Sequence, residues 1–207
     1  RDRRPPRGVV AICAAASSDY VAVFVGALRA GMTVAPLSPS GTVDDILRMV
    51  DDSAACCLFA DEATTARIGA SAAARPLTLV ALDGRASGIP LADWLAAEGE
   101  LPSEVSIGPE DAFNIIYSSG TTGVPKGIVL TNRNFIAQGM QAAAWCRLGE
   151  KDAMLAILPL FHGFGLGVCV NAVFMAGGKS ILVPVFDAKV VARLLRTKRP
   201  NALVGVP

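Results

Sequence analysis

Apolar positions along this chain follow two alternating rhythms. Short unbroken apolar runs read as strands buried on both faces. Between them, apolar residues return every third or fourth position, as on one face of a helix. Residues 8–13 form a β-branched run of the first kind. Ser17 or Ser18 then caps a helix with Asp19 in its first turn, Val21, Phe24, Val25 and Leu28 on one face, and Gly31 as its stop. Residues 33–37 are extended. Thr42-Val43-Asp44-Asp45 resembles a capping box with Asp in place of Glu, opening a helix that carries Val43, Ile46, Leu47 and Val50. Strands follow over 56–60 and 77–82 with a helix over 62–72 between them. A short helix covers 91–97, with Trp94 and Leu95 packed inward, and residues 99–109 are polar and turn-rich.

Two further apolar runs, 112–116 and 128–130, read as short buried strands on either side of a loop rich in glycine and hydroxyls. A helix starting at Asn132 or Asn134 runs to about Cys146. Residues 153–158 are a strand, 164–176 an apolar helix ending at Gly177-Gly178, and 180–183 a strand. Residues 187–198 are an amphipathic helix bearing Val190, Val191, Leu194 and Leu195, and 202–206 the last strand. Strands alternate with helices almost throughout, which predicts an α/β fold with a mostly parallel sheet flanked by helices.

The loop between the paired runs reads Tyr117-Ser118-Ser119-Gly120-Thr121-Thr122-Gly123-Val124-Pro125-Lys126-Gly127. Glycines let successive N–H groups turn into an anion-binding concavity. Ser118, Ser119, Thr121 and Thr122 add hydroxyl donors and Lys126 a full positive charge. That is the chemistry of a polyphosphate clamp, although such clusters also serve as plain turns. It differs from the P-loop, whose G-x-x-x-x-G-K-[ST] opens a helix, because Pro125 precedes the lysine and a strand comes next. His162, the one histidine of the chain, is a second candidate, weighed against a purely structural hydrogen-bonding role.

Composition narrows the surroundings of this site. The 207 residues suit one large domain or a piece of a larger protein. They are 52% hydrophobic and 18% charged, with a mean hydropathy of +0.47, against about 45–50% and about 25% in an average soluble domain. An alanine-rich helical protein would show part of that excess, and so would a fragment whose buried faces meet other segments of the same protein. Net charge is +1, and Arg1, Arg3, Arg4 and Arg7 have no interleaved aromatics, so no nucleic-acid footprint is read. Cys13, Cys56, Cys57, Cys146 and Cys169 have neither zinc spacing nor a disulfide framework, and are expected as buried, reduced thiols of a cytoplasmic protein. No signal peptide is read at the start. Residues 153–178 carry no formal charge and are long enough to span a bilayer. Pro159, His162, Gly163, Gly165, Gly167 and Asn171 divide them into a strand and a helix, so no transmembrane segment is expected.

The run from Tyr117 to Gly127 resembles, at every position, the phosphate-binding signature of the adenylate-forming (AMP-binding) superfamily, an aromatic followed by T/S-S-G-T/S-T-G-x-P-K-G. That superfamily includes acyl-CoA synthetases, 4-coumarate–CoA ligases, luciferases and peptide-synthetase adenylation domains. Leu28-Arg29-Ala30-Gly31 with Pro36 to Pro39, Leu158-Pro159-Leu160-Phe161-His162, and Phe186-Asp187 with Arg199 to Pro207 resemble further family elements, in the right order. Asn132 departs from the histidine usual in "LTHRN".

The resemblance implies ATP-dependent conversion of a carboxylic acid to an acyl-adenylate, then thioester formation with coenzyme A, with Mg²⁺ accompanying ATP. Ser118, Ser119, Gly120, Thr121, Thr122, Gly123 and Lys126 would hold the β- and γ-phosphates, and His162 would steady the carboxylate. Phe161, Phe164 and Leu166 are candidate pocket walls. Residues 1–158 are expected as one α/β subdomain of the family's large N-terminal domain and 159–207 as the start of a second. The chain reads as a fragment without the C-terminal domain and its catalytic lysine, and is expected to be inactive alone. Two alternatives stay open: an adenylation domain that loads a carrier-protein thiol, and a non-catalytic nucleotide-binding module.

Overall fold

A computed structural model describes residues 8–84, 88–100, 103–118 and 125–206. Packing divides the chain into two units. One holds the segments up to Ala14 and from Asp19 to Thr131, and the other holds Ala15–Ser18 with the chain from Asn132 onward.

The first unit is built on a seven-stranded sheet in the order β5-β4-β3-β1-β2-β6-β7. Its strands are β1 (Val9–Cys13), β2 (Thr33–Pro36), β3 (Ala55–Ala60), β4 (Thr78–Ala81), β5 (Ile89–Pro90), β6 (Ala112–Ser118) and β7 (Lys126–Thr131). All neighbours pair parallel except β6 and β7, which form an antiparallel hairpin. The helices α1 (Ser18–Arg29), α2 (Val43–Ser53) and α3 (Glu62–Ala73) are the crossovers between successive parallel strands. The capping box forms as read: Thr42 Oγ1 accepts from the Asp45 N–H at 3.1 Å and donates to Asp45 Oδ2 at 2.7 Å. α2 then ends at Ala54, in a left-handed conformation with φ 53°.

Val9, Ala11 and Cys13 of β1 pack with Ile46, Leu47, Met49 and Val50 of α2 and with Ile68 of α3. Each of the Val, Ile, Leu and Met side chains among them contributes about 1.5–3 kcal/mol when fully withdrawn from water. Among the described residues, three polar side chains are buried on strands of this sheet: Thr33, Asn114 and Thr131. Asn114 of β6 is fully buried, and among the described residues neither atom of its side-chain amide has a hydrogen-bond partner.

Several expectations are corrected here. α1 buries Tyr20 and Phe24, whereas Val25 is 39% exposed. The reason is Phe113, whose ring lies 5.6 Å from that of Phe24 and fixes the buried stripe. The short helix α4 covers only Leu91–Trp94, and Trp94 and Leu95 are exposed rather than packed inward. Trp94 instead meets Phe59 edge-on at 5.9 Å. β7 is not buried, since it lies at the end of the sheet and Ile128 is 51% exposed. Cys13, Cys57 and Cys169 are buried as expected, but Cys56 and Cys146 are exposed.

The second unit carries a three-stranded parallel sheet, β10-β8-β9, from β8 (Ala153–Ala156), β9 (Lys179–Leu182) and β10 (Ala202–Leu203). The sequence pattern placed the division near residue 158. Packing instead groups β8 with the second unit, because both its sheet partners come later in the chain. α5 (Asn132–Trp145) precedes β8. α6 is wound as a π-helix over Gly165–Ala172 and continues as Val173–Met175. α7 (Ala188–Lys198) is capped by Asp187, which accepts from the Val190 N–H at 2.9 Å.

The uncharged stretch thus becomes a fully buried strand followed by a helix whose residues Gly165 to Val170 are all buried. α5 and α6 approach closely at Gly139, where a Cβ would collide with the Asn171 side chain. Asn171 Nδ2 uses that approach to donate to the Phe135 carbonyl at 2.8 Å. Among the described residues no helix is long and apolar enough to cross a membrane.

Candidate functional site

The hairpin β6–β7 positions the glycine and hydroxyl loop. Its last three pairs are Ile116 with Ile128, Tyr117 with Gly127, and Ser118 with Lys126. Ser118 and Lys126 therefore face each other across the mouth of the loop, Ser118 exposed and Lys126 at its exit. Ser119, Gly120, Thr121, Thr122 and Gly123 lie outside the described residues. Of the clamp residues read from the sequence, the structure brings together the hydroxyl at the loop's entry and the cation at its exit. A hydroxyl donor opposite an ammonium group is suited to a polyanion.

The pair behind the mouth explains why a glycine stands at position 127. A Cβ there would meet Cγ2 of Ile115 at 2.9 Å and Cε1 and Cζ of Tyr117 at 3.2 Å, so the Tyr117 ring lies across the glycine. The Tyr117 hydroxyl faces two acceptors in the last turn of α2, the Met49 carbonyl at 3.1 Å and Asp52 Oδ2 at 2.6 Å. Partial burial and then the Asp52 carboxylate push the phenol's pKa upward, which keeps its proton in place as a donor.

Sequence reading missed Asp52, yet a signal was there. Asp51 and Asp52 stand together at the C-terminal end of a helix, where the dipole disfavours negative charge. Each is accounted for by a partner. Asp51 takes Nε of Arg75 at 3.0 Å, and Asp52 takes Tyr117.

His162 lies in the second unit, on the turn that leaves β8. Its N–H donates to the Pro159 carbonyl at 3.2 Å, and its own carbonyl accepts from Leu166 N–H at 3.0 Å. The ring is exposed, and Nδ1 accepts from the Phe164 N–H at 3.1 Å. An accepting Nδ1 assigns the proton of the neutral ring to Nε2, which is then a donor.

The turn can be this tight only because position 165 is glycine. A Cβ there would strike the Pro159 carbonyl oxygen, with the Pro159 carbonyl carbon at 2.8 Å and the Leu158 oxygen at 3.0 Å. Of the candidate walls, Leu166 is buried in packing at 2% exposure and Phe161 is half-buried. Phe164 borders an open hollow of about 920 Å³ together with Gln138, Ala142, Trp145, Val168 and Val204. Asn132 is the first residue of α5, in keeping with a change at a helix start.

A family model described as AMP-binding enzyme matches residues 5–207. The chain is 30% identical over 194 residues to 4-coumarate–CoA ligase 3 of Oryza sativa subsp. japonica, covering 91% of this chain and 35% of that protein. It is 28% identical over 184 residues to 2-succinylbenzoate–CoA ligase of Bacillus cereus (strain AH820), covering 87% and 34%. Among solved structures, ATP-bound MatB from Rhodopseudomonas palustris superposes with a TM-score of 0.83 at 28% identity, over 97% of this chain and 39% of that one. The chain thus spans about a third of the length of these relatives.

Proposed function

We propose, because this chain belongs to the AMP-binding enzyme family, that the whole protein activates a small-molecule carboxylic acid with ATP and passes the acyl group to the thiol of coenzyme A. In the first step a carboxylate oxygen bonds to the α-phosphorus of ATP. The bond from that phosphorus to the bridging oxygen of the β-phosphate breaks, and pyrophosphate leaves with the electron pair. In the second step a thiolate sulfur bonds to the acyl carbon and the acyl–oxygen bond breaks, releasing AMP.

One observation carries this reading. An unbroken hydroxyl- and glycine-rich run is held by a hairpin that sets Ser118 opposite Lys126. In the roles we propose, Lys126 supplies charge as pyrophosphate develops, and the Ser118 hydroxyl donates to a phosphate oxygen. Ser119, Gly120, Thr121, Thr122 and Gly123 complete the cradle. His162 donates from Nε2 to the carboxylate, and the hollow beside Phe164 receives the acyl group. Among the described residues no cluster of His, Cys, Asp and Glu could hold a metal ion. In the proposed reaction Mg²⁺ accompanies ATP as its counter-ion. The cytoplasm, where thiols stay reduced, is the compartment proposed.

The test is a panel of carboxylates with the whole protein, ATP and either coenzyme A or a carrier-protein thiol as acceptor. The expected result is carboxylate-dependent ATP–pyrophosphate exchange and a coenzyme A thioester. Lys126→Ala and Thr122→Ala should each cost about 10²- to 10³-fold in turnover, the size of losing one preorganised transition-state donor. Unchanged ATP affinity and turnover in both variants would remove the clamp assignment. Acylation of the carrier protein alone would reassign the acceptor. Without the segments that complete its relatives, the chain itself is expected to give no exchange.

A further inference from the structure

We propose that Asp52, at the C-terminal end of α2, is a positioning residue for the polyphosphate loop, holding the Tyr117 phenol and through it the direction in which Ser118 and Lys126 leave the sheet. The inference rests on the clamp reading above and adds a residue far from the loop in sequence.

Three observations on the hairpin carry it. First, β7 is the end strand of the sheet, and Ile128 and Val129 are 51% and 38% exposed, so the outer side of the hairpin is thinly supported. Second, the Tyr117 ring borders a hollow of about 160 Å³ that Asp52, Ser53, Gly127 and Val129 also line. Tyr117 packs against the core on one side and borders this hollow on the other, so packing holds it from one side only. Third, the phenol reaches a carboxylate at 2.6 Å, a short charge-assisted hydrogen bond, on a helix that is itself anchored in the core.

The linkage passes from residue to residue. The last turn of α2 fixes Asp52, and Asp52 fixes the Tyr117 hydroxyl. The ring lies across Gly127, and the next cross-strand pair is Ser118 with Lys126. Releasing the phenol lets the strand ends splay and blurs the spacing between hydroxyl and ammonium. Unlike removal of Lys126, splaying leaves both groups present as pyrophosphate develops and weakens chiefly their joint grip on the bound polyphosphate, so the effect belongs chiefly in ATP affinity.

The experiment measures ATP KM and kcat in ATP–pyrophosphate exchange by the whole protein. The variants are Asp52→Ala, Tyr117→Phe, the double variant, Asp52→Asn and, as a separate arm, Lys126→Ala. Each of the first two is expected to raise the ATP KM about tenfold, equivalent to about 1.4 kcal/mol, with kcat within about twofold of the parent. The double variant should be no worse than Tyr117→Phe alone, since Asp52 acts only through the phenol, whereas Asp52→Ala still leaves the phenol the Met49 carbonyl. Asp52→Asn should recover much of the loss, because its amide oxygen still accepts from the phenol.

An unchanged KM in both single variants would overturn the proposal, as would effects that multiply in the double variant. So would a fall in melting temperature and kcat with KM untouched, which would mark the bond as merely structural. If Lys126→Ala impairs ATP binding while Asp52→Ala does not, the positioning role fails and the clamp reading stands. If Lys126→Ala has no effect, both fail together.

Discussion

The His-Gly-Phe-Gly turn offers a paired test in which two identical substitutions, two residues apart, should have opposite outcomes. At Gly163 a Cβ would meet nothing within 4 Å. At Gly165 it would strike the Pro159 carbonyl, whose carbon lies at 2.8 Å, and the Leu158 carbonyl oxygen at 3.0 Å. Those are backbone atoms and cannot rotate aside. Forcing a methyl group into a filled space costs about 1–3 kcal/mol. Replacing glycine by alanine returns about 0.4–1 kcal/mol by restricting the unfolded chain. Gly165→Ala should therefore lose about 2 kcal/mol net, taking the upper part of the first range because the obstacle is backbone. At about 2–4 °C per kcal/mol for a chain of this size, the melting temperature should fall by about 4–8 °C. Gly163→Ala should leave it unchanged or raise it by a few degrees. The assay is thermal unfolding followed by circular dichroism, with urea unfolding to check that the slope is unchanged. The Pro159 carbonyl also accepts from His162 N–H at 3.2 Å. Gly165→Ala should therefore reduce acyl-adenylate formation in the whole protein beyond its effect on folding. Equal melting temperatures for the two variants, or the reverse order, would refute the reasoning.

Asn114 makes the second prediction. Replacing its unpartnered, fully buried amide by leucine should stabilise the protein by at least about 1 kcal/mol, read as a higher urea midpoint at constant slope. Third, thiol chemistry should divide the cysteines. Cys56 and Cys146 should alkylate in the native protein at mildly alkaline pH, and Cys13, Cys57 and Cys169 only after unfolding, as read by mass spectrometry. Burial, with Asp61 as a smaller cause, pushes the Cys13 thiol up to about 12; burial, and then Cys56, pushes Cys57 to about 12. Folded values above the unfolded ones mean that this stabilisation is fully present below an unfolded pKa of 9.0 and is lost as pH rises towards about 12. A Cys13→Ser, Cys57→Ser variant should show a flatter loss of stability across that alkaline range.

Elements with strong periodicity and a cap were legible in the sequence to within a residue or two. α2 and α7 are examples, because Thr42 and Asp187 mark their starts; the apolar stripe of α2 is buried as read, whereas α7 buries only Val191 and leaves Leu195 40% exposed. Tertiary partners decided what was not legible. Nothing local shows that Phe113 would draw Phe24 and not Val25 inward, or that Trp94 would meet Phe59 at right angles while staying exposed. The π-winding of α6 has no signature in a stretch whose only polar side chain is Asn171, where most registers look equally good. In the candidate site, the loop was visible because glycine, hydroxyls and lysine are chemically unusual together. The Asp52–Tyr117 bond was not, since it joins residues 65 positions apart. Only the mismatch between two carboxylates and the end of a helix hinted that something would meet them.

The hairpin also stands apart in how the sheet can assemble. Every other pairing in that sheet is parallel and must wait for a crossover to fold back. The link from β2 to β6 closes over a long excursion, and the Thr33 hydroxyl meets the Ala112 carbonyl across 79 residues. β6 and β7 need only a local turn, an event of about 1–10 μs, whereas pairings between distant segments are slow. The base of the loop can therefore exist as a preformed ribbon before the remaining strands arrive. Its tether to α2 comes later, once that helix has docked. On these general timescales the pairing that sets the residues opposite one another is the fast step, and the bond that aims them waits on a slower one.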